Sequence, residues 1–352
     1  MNYVGIDHHK KSNHITVMDE HGTVIKRGTV SNRRKELRDF LQPLKGPSSV
    51  VFESCAGWSV LYDNLADCVS EMHLAHPYKT RIIAEAKIKT DKIDSEILAH
   101  LLRCNMVPEA HIPCKEVQHI RYLVRQRLFF VRLRTMTKNR IHRLIERNHL
   151  AEVVSEAFSD VFGKNGMAFL EKVKLPETER KLLNEQLALL KEINRLVAED
   201  DKRLRALFEK DRRVALVATV PGLGYLFAPL VVYEIDSIDR FATPAKLHAY
   251  AGIVPSTYAS GEKCYHGKLI KMGNRYLRWA TVEAVWPAIR KDPSLRQYYN
   301  GIKKGRDNKA ATIATARRLL TIVYRILKEQ RPYRPGVVQH NQNRSRAALS
   351  AI

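Results

Sequence analysis

Cysteine is sparse. Five occur in 352 residues, at Cys55, Cys68, Cys104, Cys114 and Cys264. They form no Cys-x-x-Cys pair and their number is odd, which argues against a zinc ribbon and a disulfide framework and fits a reducing cytoplasm. Acidic residues are also short, with 37 against 60 lysines and arginines and a formal charge of +23. A surplus of that size repels itself unless a polyanion absorbs it. Nucleic acid is the leading partner and an anionic membrane surface the second. The opening MNYVGIDHHKK lacks the apolar stretch of a secretory signal. Long hydrophobic runs are missing as well. The 20 residues from Val214 to Tyr233 carry no charge, but Pro221, Gly222, Gly224 and Pro229 interrupt them. Two short buried helices around a PGLG turn are expected there, not a membrane span. Glycine is absent between Gly57 and Gly163, and proline between Pro113 and Pro176. Nothing in that stretch opposes long helices.

Hydrophobic residues make up 45% of the chain, enough for a packed core. Residues 1–76 alternate strand and helix patterns. Tyr3–Ile6, Ile15–Met18 and Thr23–Val30 read as three strands. Arg33–Leu44 reads as a helix capped by Ser31 or Asn32. Ser49–Phe52 and Met72–Ala75 read as further strands, with a helix over Gly57–Cys68 between them. A mixed sheet covered by helices, an α/β unit over residues 1–110, is the expectation.

The remainder reads as helical. Lys115–Leu150 holds ten lysines and arginines against two acids. At 100° per residue, Arg121, Arg125, Arg132, Arg143 and Arg147 share an arc of roughly 80°. In so basic a chain, that arc is expected to contact phosphates, although a solvated helix face would carry the same pattern. Leu183, Leu190, Val197 and Leu204 recur every seven residues, with Ile193 and Leu207 each three residues after one of them, interrupted by Gln186 and Asp200. A long coiled-coil middle over 111–212 is expected, pairing with the preceding helix or with a second subunit. A third, mostly helical unit is expected over 213–330. Residues 331–352 read as a flexible basic tail.

Four carboxylates stand out by placement. Asp7 ends the first strand and Glu53 a later one. Asp91 and Asp94, in KTDKIDSEILAHLL, are three apart on one helix face, where like charges disfavour each other unless cations bind. Carboxylates gathered from strand ends and a helix suit hard divalent cations that activate a nucleophile and stabilise the leaving oxygen of a phosphodiester. His8, His9 and His14 lie close to Asp7. Adjacent histidines on a strand point to opposite sides, so a shared ion at His8 and His9 is disfavoured. Ser260 lies in YASG, followed by Lys268, Lys271, Arg275 and Arg278. A serine nucleophile needs a base and a cationic surround. The cations are there, His266 is the one candidate base, and on chemistry alone a turn serine fits better. Gly222 and Gly224 in VPGLG fit a helix-hairpin-helix that offers backbone N–H groups to a phosphate. They equally fit an ordinary tight connection.

These motifs resemble, in order and spacing over residues 1–330, the DEDD-type transposases of insertion sequence family 110, which include the Piv DNA invertase. The matching segments are GIDHHK, VFESCAG, KTDKIDSEILA, VPGLG, LHAYAGIVPSTYASG and GKLIKMGNRYLRWA. The resemblance implies a RuvC-like, ribonuclease-H-type N-terminal domain. It implies that Asp7, Glu53, Asp91 and Asp94 bind Mg²⁺ or Mn²⁺, with no need for ATP. It implies that Ser260 forms a covalent link to DNA, and that the protein works as a dimer or tetramer with donor DNA, target DNA and a structured bridge RNA. Three positions depart from the family pattern: Ser95 replaces an alanine, Met272 often a basic residue, and Trp279 a common arginine. The alternative is a hydrolytic junction-resolving nuclease of the same fold that uses the metal site alone. A sugar kinase of the actin-like fold would need glycine and Ser/Thr after Asp7, and DHHKKS supplies no glycine. A non-enzymatic binding protein would tolerate loss of Asp7 or Asp94.

Overall fold

Val4 and Ile6, with Ile15 and Val17 on the neighbouring strand, are fully buried and seed the sheet of the N-terminal unit. The strands β1 (Asn2–His8), β2 (Ser12–Met18) and β3 (Val24–Ser31) form an antiparallel meander. After α1 (Arg34–Leu41), β4 (Ser48–Glu53) pairs with β1 in parallel. After α2 (Trp58–Leu65), β5 (Glu71–Ala75) pairs with β4 in parallel. The sheet order is β3-β2-β1-β4-β5. The short helix α3 (Pro77–Ile83) and then α4 (Asp91–Arg103) follow. In this computed structural model residues 1–84, 90–260, 263–270 and 272–335 are described, for Phe208, 257–260 and 263–266 as backbone only. Tail residues 336–352 lie outside the described residues. The chain divides into two compact units at Pro113 and Cys114.

Strand alternation sorts the first unit's side chains into two layers. Val4, Ile6, Val50 and Phe52 pack with Leu37, Leu41, Leu61 and Leu65 of α1 and α2. The opposite parity faces α4, where Val51 packs with Leu98 and Leu102. Asp7 shares the parity of Gly5, and Glu53 that of Val51, so both acids fall on the α4 side. At Gly5 the helix backbone itself touches the strand. A Cβ there would overlap the Ser95 carbonyl oxygen and stand 2.5 Å from the Ala99 nitrogen. The expected elements match within a few residues. The cap of α1 differs: Arg33 occupies it without a side-chain cap, while Ser31 Oγ accepts a hydrogen bond from the Arg33 N–H.

The second unit is mostly helical. Its long helices α5 (Lys115–Arg147) and α8 (Glu177–Lys210) flank α6 (Ala151–Ala157) and α7 (Lys164–Lys172). The ion pairs Arg127–Asp201 and Arg147–Glu179 show that α5 and α8 run antiparallel. Leu183, Leu190, Ile193, Val197 and Leu204 are all buried, as their seven-residue recurrence requires. Gln186 and Asp200 are the flaws in that seam: each has a buried oxygen without a partner. Then come α9 (Arg212–Ala218), α10 (Phe227–Ile235), a 3₁₀ turn at Ile238–Arg240, α11 (Pro244–Ala251), β6 (Pro255–Ser260), β7 (Lys263–Leu269), α12 (Arg275–Glu283), α13 (Val285–Lys291), α14 (Pro293–Gly305) and α15 (Asn308–Glu329). The charge-free run forms the two short helices expected, with Ala228–Ile235 of α10 buried throughout. No helix among the described residues is long and apolar enough to cross a membrane. Val117, Val124 and Leu128 of α5 and Leu204 of α8 share one core with α9–α15, so the helical hairpin is rooted in the C-terminal helices.

Two of the five arginines on the expected basic arc point inward. Arg121 is buried and donates to the Tyr233 and Glu234 carbonyls, at 2.7 and 3.2 Å. Arg125 grips the Glu234 carboxylate with two bonds of 2.8 Å. Glu234 has no exposed surface, and a buried carboxylate is tolerated only when paired and hydrogen-bonded. It therefore draws in the nearest guanidinium groups. Arg132, Arg143 and Arg147 stay exposed.

Gly5→Ala is expected to force α4 off the sheet, at a cost of roughly 3 kcal/mol. Amide hydrogen exchange should show it as a loss of protection of about a hundredfold in α4.

Candidate functional site

Three elements of the N-terminal unit bring their carboxylates to the C-terminal ends of the parallel strands. Asp7 and Glu53 each lie one residue beyond the paired Ile6 and Phe52, on adjacent strands. Asp91 and Asp94 occupy the first turn of α4. Thr90 caps that helix, its Oγ1 accepting a hydrogen bond from the Ile93 N–H at 3.3 Å. A helix N-terminus carries partial positive charge, which favours acids at these two positions. The four carboxylates expected from the sequence line a single cleft of about 840 Å³.

His9 joins them. Its Nε2 lies 3.0 Å from Asp7 Oδ2 and 3.3 Å from Asp91 Oδ1. The nearby histidines are engaged elsewhere. His8 Nδ1 contacts Asn13 Oδ1 at 2.6 Å, and His14 Nδ1 contacts Thr29 Oγ1 at 2.9 Å. Thus His8, the last residue of β1, and His9, just beyond it, have different partners.

The electrostatics are those of a site short of positive charge. Burial raises the Asp7 carboxyl above its ordinary range. His9 opposes that shift, while Asp94 and Asp91 add to it. For His9, burial favours the neutral ring, but Asp7 and Asp91 outweigh it and hold the imidazole above its usual value. Among the described residues, Asp7, His9 and Asp91 form the group able to place three ligand atoms within 4.8 Å of one another. Carboxylate oxygens gathered this way suit a divalent cation. Charge repulsion relieved on binding adds to the fit.

The far wall of the cleft is α3, which supplies Tyr78 and Arg81. Arg81 is exposed, with its guanidinium 5.4 Å from the Tyr78 ring centre. Sequence reading weighed a metal site at His8, His9 and His14 and disfavoured it, and it missed Tyr78 and Arg81. The available signal was positional: ligands of α/β sheets gather beyond the carboxyl ends of parallel strands, and α3 follows β5 there.

Ser260 sits in the second unit. It ends β6, and its backbone pairs with Lys263 across the β6–β7 hairpin, so it lies at the tip. The side chains of Ser260 and His266, and all of Lys271, are outside the described residues. Lys268 and Arg275 are exposed. Arg278 is half-buried and bonds the Ala251 carbonyl at 3.3 Å. The hairpin's roots are fixed. The Ile270 N–H bonds the Val254 carbonyl at 2.9 Å, and the Asn274 N–H bonds the Tyr250 carbonyl at 2.6 Å. Asn274 Nδ2 also donates to the buried Glu234 at 2.7 Å. Of the positions that depart from the family pattern, Met272 is exposed, and Trp279 packs edge-on against Phe227 at 5.3 Å. In the PGLG turn, Gly222 has φ +91° and lies against the Ala284 carbonyl, so its glycine serves tight packing. Gly224 is exposed.

A DEDD transposase family model of the insertion sequence 110 type matches residues 4–149. A second, described as the transposase IS116/IS110/IS902 family, matches residues 214–300. The chain is similar to a probable family 20 transposase of Pseudomonas aeruginosa, 24% identical, with 95% of this chain and 98% of that protein covered. It is similar to the transposase for insertion sequence element IS1111A of Coxiella burnetii, 23% identical, with 95% and 91% covered. Over a shorter stretch it is 30% identical to the pilin gene-inverting protein of Moraxella bovis, covering 36% of this chain and 40% of that one. The chain belongs to the insertion sequence 110 family of DNA transposases.

Proposed function

We propose that the protein cuts and rejoins DNA strands with two chemical centres, a divalent-metal site at Asp7, Glu53, Asp91 and Asp94 and a nucleophile at Ser260. The convergence of four carboxylates from two strands and one helix in one cleft carries the reading. The meander β3-β2-β1 continued by parallel β4 and β5 supports a RuvC-like, ribonuclease-H-type domain around it.

Bound Mg²⁺ or Mn²⁺ would supply Lewis-acid stabilisation of phosphate charge. Asp7 and Glu53 hold their positions through the sheet, and Asp91 and Asp94 through the capped first turn of α4. Ser260 Oγ attacks phosphorus, the Oγ–P bond forms, and one P–O bond to deoxyribose breaks. The departing strand keeps the oxygen as a hydroxyl. Attack by the hydroxyl of a second strand reverses these steps and frees the serine. The bond energy is conserved in the serine ester, so no nucleotide cofactor is needed.

Arg132, Arg143 and Arg147 on the outer face of α5, with Lys268 and Arg275 near the hairpin, suit phosphate backbones. We assign a structured guide RNA and DNA as the partners, read by shape and backbone with sequence choice left to base pairing. The heptad helix α8 supports a coiled-coil arm. We assign the working form as an oligomer in which the metal site of one subunit meets the serine of another.

Asp7→Asn is expected to lower strand cleavage on the order of a thousandfold or more. The Asp7 pKa is raised on folding, so its ionised form opposes folding increasingly as pH rises above its unfolded value. The amide removes that penalty. In EDTA at neutral pH the variant should therefore melt at or above the wild-type temperature, and added Mn²⁺ should stabilise the wild type alone. A lower melting point without metal would contradict the electrostatic account. Ser260→Ala should abolish recombination and the protein–DNA adduct seen on denaturing gels. Cleavage that persists in that variant without an adduct would instead favour a hydrolytic nuclease.

A further inference from the structure

His9 is absent from the four-carboxylate set, yet its position is that of a ligand. Its Nε2 is 3.0 Å from Asp7 Oδ2 and 3.3 Å from Asp91 Oδ1. Atoms bound about 2.1 Å from one cation stand roughly 3 Å apart when adjacent in an octahedron. Both spacings fit one shared edge of such a shell. The third side of the triangle, between Asp7 and Asp91, also closes within 4.8 Å. The ring has access: His9 is half-exposed, and the cleft beside it opens to solvent. Among the described residues its contacts are the two carboxylates themselves.

We propose that His9 is a nitrogen ligand of the cation held by Asp7 and Asp91, and that it turns the site toward Mn²⁺ over Mg²⁺. The inference rests on the carboxylate reading above. Mg²⁺ favours oxygen donors and keeps its water reluctantly exchanged, whereas imidazole nitrogen binds later first-row ions better. One imidazole in an otherwise carboxylate shell therefore adds affinity for Mn²⁺ and little for Mg²⁺.

The test uses the full-length protein and Mn²⁺ alone. Electron spin-echo measurements on the Mn²⁺-loaded wild type should show nitrogen modulation from a directly bound imidazole. His9→Gln, a substitution at a half-exposed position, should lose that modulation. The same variant should bind Mn²⁺ about tenfold more weakly, with Mg²⁺ affinity, read by competition, within about twofold. Mn²⁺ bound to the wild type without nitrogen modulation, or modulation that survives His9→Gln, would overturn the role of His9 and leave the carboxylate site standing. Mn²⁺ binding unaffected by Asp7→Asn would overturn the carboxylate reading, and the inference with it.

Discussion

The missing side chain at Gly5 is the constraint on which the carboxylate cleft depends. Strand β1 and helix α4 touch backbone to backbone there, with the Ser95 carbonyl and the Ala99 amide in the space a Cβ would take. A displacement of even one C–C bond length, roughly 1.5 Å, exceeds the ~0.2 Å tolerance of a metal's ligand distances. Close packing at residue 5 thus sets the distance between carboxylates two and more residues away. Ser95, where the family has alanine, is absorbed on this same buried face. Its Oγ contacts Thr16 Oγ1 at 2.8 Å and donates to the Lys92 carbonyl at 3.0 Å. The hydroxyl is fully partnered, so the departure costs the helix little.

That geometry works against the fold's own electrostatics. Asp7 is held partly buried beside Asp91 and Asp94, and its carboxyl is harder to ionise for it. A chain with a surplus of 23 positive charges keeps a local deficit of them where its carboxylates meet. His9 and the amide end of α4 offset only part of that deficit. A divalent cation bound as proposed would relieve strain of this kind, and the unit's stability and chemistry would then draw on the same interaction.

The second unit solves a different problem. Glu234 is buried among Arg125, Arg121 and Asn274, and Tyr250 donates to its carbonyl at 3.1 Å. Gly252 and Gly273 approach so closely that a side chain on either would collide with the other's backbone. Together these contacts pin both roots of the β6–β7 hairpin and the start of α12. The tip that carries Ser260 is thereby mounted on a rigid base.

Much of this was readable because it is local. Asp7 and Glu53 were legible as acids at strand ends, and i, i+3 spacing paired Asp91 with Asp94. The heptad on α8 marked its buried seam. Arg121 and Arg125 were misread because a helical wheel records angle and not partner, and Glu234 lies more than a hundred residues further on. His9 was disfavoured because the sequence treats it as a strand neighbour of His8, whereas β1 ends at His8 and the His9 ring reaches Asp7 and Asp91. The most direct test replaces the cation with Fe²⁺ and generates hydroxyl radicals with ascorbate and peroxide. Backbone cuts should cluster beside Asp7, Glu53 and Asp91 together, and excess Mg²⁺ should suppress all three. Cuts at one of these segments alone, or cuts elsewhere that Mg²⁺ does not suppress, would contradict a shared metal site.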